Sequence, residues 1–141
     1  MGVGRFQIRG SDREGAVALE FALVGPLFVL LLIGLVVYGA WLMMAQSVQA
    51  LASEGARAAV AGLDPAERES LARAEVAGTI EGQGGLEPGR MSVRVVEDAQ
   101  RVQVIVAYDV SDHPLILMGA MLPHPPQIIE RTAVVHLGGG Q

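Results

Sequence analysis

From Phe21 to Ala45 the chain reads FALVGPLFVLLLIGLVVYGAWLMMA, twenty-five residues without a charge. At about 1.5 Å per helical residue the run extends roughly 37 Å, enough to cross a hydrocarbon core of about 30 Å. It is therefore expected to span a bilayer. Arg5, Arg9 and Arg13 precede it, and the first charges after it are Glu54 and Arg57. Such an excess of positive charge predicts a cytoplasmic N-terminus and an extracytoplasmic C-terminal part. Tyr38 and Trp41, toward the far end, suit a headgroup boundary. Two other readings remain. A buried helix of a soluble protein would need a larger body around it, and a cleavable secretory signal would use Ala50 and Ala52 as its small-residue site. Against the signal stand the length of the run and the charge of Glu20 before it.

With 141 residues, the chain has room beside the anchor for one small domain. The expected organisation is a leader at 1–15, an N-terminal helix at 16–61 that spans at about 21–45, and an extracytoplasmic α+β domain at 62–141. All ten basic residues are Arg and the net charge is −5, so there is no basic field to hold a phosphate backbone. Nucleic acid is not an expected partner. The absence of Cys removes disulfides and thiol chemistry.

Beyond the span, Met44, Val48, Leu51, Ala52, Gly55 and Ala59 recur at three- and four-residue spacing, which predicts that the helix continues with an apolar stripe toward the domain. Pro26 removes one backbone hydrogen bond and tends to kink the span. Ala18 and Ala22 form a small-xxx-small pair that permits close helix approach. Asp64-Pro65-Ala66-Glu67 combines an N-cap, a proline at the first helical position and an acid three residues on, so a second helix is expected from about Pro65 to Ile80. Leu71, Val76 and Ile80 give it a modest apolar face, and the glycines at 82–85 end it. Met91–Glu97 and Arg101–Val110 alternate as strands around an Asp98-Ala99-Gln100 turn, with Val102, Val104, Val106, Tyr108 and Val110 on one side. Ile128–Leu137 is a third strand, ahead of a Gly-rich tail. The predicted fold class is α+β: a long transmembrane helix extending into a domain with a second helix and a three-stranded antiparallel sheet. Residues 113–126 form an apolar, Pro-flanked segment too short to span, expected either to fold over the sheet's open face or to dock on a partner or the outer leaflet.

Glu20 interrupts the apolar sequence that starts at Ala16, and a carboxylate near the centre of a membrane helix costs about 2.5 kcal/mol or more. It sits either in the headgroup layer, favoured by the helix dipole, or opposite a partner. The string Arg13-Glu14-Gly15-Ala16-Val17-Ala18-Leu19-Glu20-Phe21 resembles the processing site of type IV pilin-like proteins. More closely, Gly15 to Val24, Pro26, Gly34, Tyr38-Gly39 and the distal Ala52-Ser53-Glu54-Gly55-Ala56-Arg57-Ala58-Ala59-Val60 resemble the TadE-like proteins, minor pilin-like components of the tight-adherence (Flp) pilus machinery. That resemblance covers residues 15 to 60. Val37 and Ala40 stand where the family often carries an acidic and a basic residue.

The resemblance implies cleavage of the Gly15–Ala16 bond by a prepilin peptidase, after which the helix stays in the bacterial inner membrane. The new amine of Ala16 would then pair with Glu20 of a neighbouring subunit, with Phe21 beside it. Partners implied are the lipid bilayer, the peptidase, and other pilin-like subunits and assembly proteins. The implied role is minor, because major pilins of this system are little more than the helix. The alternative is an anchored extracytoplasmic domain that never polymerises.

No nucleophile elbow, paired acid and base, or phosphate-cradling loop is present, so neither catalysis nor a small-molecule substrate is expected. No cofactor is expected either. His113, His124 and His136 lack Cys or nearby carboxylates that would complete a metal site.

Overall fold

A computed structural model describes residues 11–82 and 85–138. Arg5, Arg9, most of the leader, Gln83, Gly84 and the end of the Gly-rich tail lie outside the described residues. The described elements are α1 (Ser11–Ala59), α2 (Pro65–Gly82), a 3-10 turn (Pro88–Arg90), β1 (Met91–Glu97), β2 (Arg101–Asp109), α3 (Pro114–Leu117) and β3 (Ile128–His136). The α+β architecture expected from the sequence is present. The three strands form one antiparallel sheet in the order β1-β2-β3.

One face of the sheet packs on the distal half of α1, with α2 alongside. Strand alternation selects that face: Val102, Val104, Val106 and Tyr108 of β2 are buried, paired with Val95, Val93 and Met91 of β1 and with Val135, Ala133 and Ile129 of β3. The expected stripe of α1 is buried in full at Met44, Val48, Leu51, Ala52, Gly55 and Ala59. Val37, Ala45 and Ala56 join it. From α2 come Ala72, Val76 and Ile80, while Leu71 stays half-buried. α1 continues through Pro26 without interruption.

Local chemistry sets the ends of the elements. Asp64 Oδ1 accepts from the Glu67 N–H at 2.8 Å, and Glu67 Oε2 accepts from the Leu63 N–H at 2.7 Å, so carboxylates satisfy donors on both sides of the start of α2. Gly85, ahead of the 3-10 turn, has φ +111°, a backbone conformation that favours glycine. Arg68 on α2 reaches Glu97 at the end of β1 at 2.6 Å, with both side chains largely covered. This pair ties the helix layer to an edge strand.

At the β1–β2 turn Asp98 Oδ1 accepts from the Gln100 and Arg101 N–H groups, each at 2.9 Å. The Gln100 N–H first, and then the Arg101 side chain, hold the Asp98 carboxyl below its ordinary range. A depressed folded-state value means that the stabilisation is present above the unfolded carboxylate range of about 4 and is lost as pH falls through the folded value. Denaturant midpoints of the native chain and Asp98→Asn should therefore differ by a constant amount from pH 7 to about pH 5, and the gap should narrow as pH falls below about 4. A gap unchanged at pH 3 would mean that the Asp98 charge contributes nothing.

Candidate assembly surface on the long helix

Most of the proximal half of α1 has no partner within the chain. From Val17 to Val36, twelve large apolar side chains are 44–77% exposed. Left in water they would forgo on the order of 20 kcal/mol of burial, more than the roughly 5–15 kcal/mol that holds a typical domain together. This surface must be covered by lipid or by other helices. Among the described residues nothing forms a soluble body around this half of the helix, and the buried core begins at Val37.

Gly15, Ala16, Glu20 and Phe21 lie at the start of this surface, all within α1 and all exposed. Among the described residues Glu20 makes no ion pair or side-chain hydrogen bond. A Cβ added at Gly15 would meet nothing within 4 Å, so packing within the chain does not require glycine there. Gly55 is the opposite case. Its Cβ would lie 2.9 Å from Val76 Cγ2 and 3.3 Å from Val104 Cγ1, because α1, α2 and β2 converge on that residue.

Near the middle of α1, residues 113–126 fold onto the helix rather than over the sheet, whose outward residues Ser92, Arg94, Val96, Glu130, Thr132 and Val134 remain exposed. Tyr38 donates its hydroxyl to the Pro123 carbonyl at 2.7 Å, and Trp41 donates Nε1–H to the Pro126 carbonyl at 2.9 Å. Prolines 123, 125 and 126 cannot join a ladder through their own nitrogens. The two aromatic donors on α1 supply hydrogen bonds to this stretch instead. Gly119 sits over Val37, where an added Cβ would come within 3.1 Å of Cγ2, and Leu122 lies beside Gly34. Val37 is 1% exposed. An acidic side chain at that position would be buried under Gly119 without a partner, which accounts physically for an apolar residue there.

Residues 15–57 match the TadE-like protein family model. No curated protein and no solved structure matches the chain. The TadE-like segment lies wholly within α1, so it includes both the unpartnered surface and the docking seam for α2 and the sheet. Sequence reasoning placed Gly55 on the apolar stripe but gave no sign that α2 would approach so closely. It also missed the seat of residues 113–126 on Val37, Tyr38 and Trp41, since contacts 85 residues apart leave no periodic trace.

No cluster of His, Cys, Asp or Glu suited to a metal occurs among the described residues. His113 instead caps α3, its Nδ1 accepting from the Leu115 N–H at 3.3 Å.

Proposed function

We propose that the protein is a minor, pilin-like membrane subunit that assists assembly of a tight-adherence (Flp) pilus. The observation that carries this reading is a TadE-like helix whose first half is apolar and exposed and is headed by a carboxylate that has no ion pair among the described residues. In this role a prepilin peptidase cuts between Gly15 and Ala16 on the cytoplasmic face. The chain remains a single-pass protein of the inner membrane, with its C-terminal domain outside. Helices of other pilin-like subunits then pack against the exposed half, and the domain caps or initiates the filament. The role is structural rather than catalytic.

The Trp41 ring lies under the Arg131 guanidinium, 5.9 Å from ring centroid to Cζ, a pairing suited to a headgroup boundary. About 30 Å of hydrocarbon, counted down from Trp41 at about 1.5 Å per residue, ends at Phe21. Glu20 then falls at the opposite edge, where a carboxylate costs least and a newly formed Ala16 amine is within a helical turn or so. Pairing with that amine on an adjacent helix would offset the desolvation of both charges.

Release by signal peptidase is disfavoured by the core. A cut near Leu51 or Ser53 would remove Val37, Met44, Ala45 and Val48, all buried. The N-terminus of protein purified from membranes is expected to be Ala16, measurable by intact mass or Edman sequencing. An unprocessed start at Met1 would favour the non-polymerising anchored domain, and a start near Leu51 or Ser53 would establish the secreted form.

A further inference from the structure

The segment after β2 has an arrangement that pilus assembly does not account for. Between Asp112 and Glu130 there is no Asp, Glu, Lys or Arg. Within that interval Leu117, Met118 and Met121 point away from the protein, 58%, 61% and 91% exposed. A soluble loop has little reason to present three such side chains together. Their position along α1 supplies one. Met121 lines an open apolar groove with Leu30 and Ile33, and a Cβ added at Gly34 would lie 3.6 Å from Leu122 Cδ1. Ile33 lies eight residues before Trp41, on the order of 10 Å toward the middle of the span.

Most backbone N–H groups of the segment are paired within it, which lowers the cost of leaving water. Every residue from Leu115 to Ala120, and Leu122, donates its N–H within the segment: to His113 Nδ1 or to the carbonyls of His113, Pro114, Ile116, Leu117 and Gly119. Pro114 and Pro123, which bracket them, carry no N–H. Without water each unpaired backbone polar group costs several kcal/mol, a cost that this internal pairing avoids for all these N–H groups; among the described residues Met121 has no such partner, so it is its side chain that enters the acyl region while its backbone stays against α1.

We propose that residues 114–122 are a membrane wedge: Leu117, Met118 and Met121 enter the acyl chains of the leaflet on the domain's side, next to α1. The occupant of the exposed surface is lipid, because the wedge continues the apolar face of the span and lies below the Trp41–Arg131 level. With Tyr38 and Trp41 fastening Pro123 and Pro126, the wedge gives the domain a second point of entry and fixes its height on the bilayer. The inference rests on α1 being a membrane anchor and is independent of pilus assembly.

The chain has no cysteine, so single-site nitroxide labels can be placed on the full chain at Met121→Cys, at Leu27→Cys on the anchor and at Leu63→Cys. Leu63 is 88% exposed in the α1–α2 connection. Each variant is reconstituted at low protein density into phosphatidylcholine–phosphatidylglycerol vesicles, and collision with oxygen and with a water-soluble nickel chelate is read by electron paramagnetic resonance. The label at 121 should resemble that at 27, with an oxygen-to-nickel ratio several-fold above that at 63. A label at 121 as accessible to nickel as that at 63, while 27 remains in lipid, overturns the wedge and leaves the anchor standing. Protection from both reagents with spin–spin broadening overturns it in favour of a second copy. An aqueous label at 27 removes anchor and wedge together.

Discussion

Gly55→Leu should lower the stability of the domain by about 3 kcal/mol, the upper end of the usual cost of overpacking. The first added carbon already meets Val76 Cγ2 at 2.9 Å, Val104 Cγ1 at 3.3 Å and the Ala72 carbonyl oxygen at 3.4 Å. These neighbours belong to α2 and β2, so relief requires a whole element to move. Val76 and Val104 are 1% and 0% exposed, which leaves their side chains no solvent-side escape. Three further carbons must follow, and α2 would have to withdraw from α1. The control is Gly78→Ala, on the open face of α2, where an added Cβ meets nothing within 4 Å. It should raise stability by roughly 0.5–1 kcal/mol, through helix propensity alone. Urea unfolding in detergent, followed by Trp41 fluorescence and far-ultraviolet circular dichroism, measures both. Equal midpoints for Gly55→Leu and the native chain would disprove the close approach of the three elements.

Glu20→Ala should leave membrane insertion unchanged or slightly improved and yet reduce incorporation into pili on the order of tenfold or more. Insertion improves because a charge is removed from the edge of the hydrocarbon. With the proposed pairing, assembly suffers because a charge-assisted hydrogen bond contributes about 1.5–3 kcal/mol, and its loss would leave the partner amine buried and unpaired. Glu20 is exposed and makes no ion pair or side-chain hydrogen bond among the described residues, so the substitution should not alter the fold of the domain. Glu20→Gln separates charge from shape, and it should behave like Ala if an amine is the partner. Membrane fractionation, circular dichroism of the purified protein and quantification of sheared pili give the three readouts. Native pilus yield from Glu20→Ala would refute the pairing.

These two positions differ in how far the sequence alone could take them. Glu20 stood out at once, because a charge beside twenty-five uncharged residues is a local anomaly. Gly55 could be placed on a stripe but not against its neighbours. The small residues of Ala52-Ser53-Glu54-Gly55-Ala56 acquire a packing explanation only when α2 and β2 are seen to converge there. Arg68 and Glu97, 29 residues apart, similarly gave no sign in the sequence of meeting across the helix–sheet boundary.

By itself the sequence determined the features governed by short-range physics. An uncharged run of spanning length, the three-four spacing on α1, the Asp64 cap, the period-two alternation of β1 and β2 and the Asp98 turn each depend on residues within a few positions of one another. The boundaries of the later elements differ from the structure by one or two residues, since α2 runs to Gly82 instead of Ile80, β2 stops at Asp109 and β3 at His136, whereas α1 begins at Ser11, five residues before the expected start, and ends at Ala59. Tertiary structure decided where the aperiodic apolar segment goes. Residues 113–126 carry no repeat that points to a face, and apolar attraction has no direction of its own. Their seat was selected by what α1 offers at Gly34, Val37, Tyr38 and Trp41: space for Leu122 and Gly119, and two donors for the Pro123 and Pro126 carbonyls. That complementarity exists only once the helix and the sheet have brought together residues 85 positions apart.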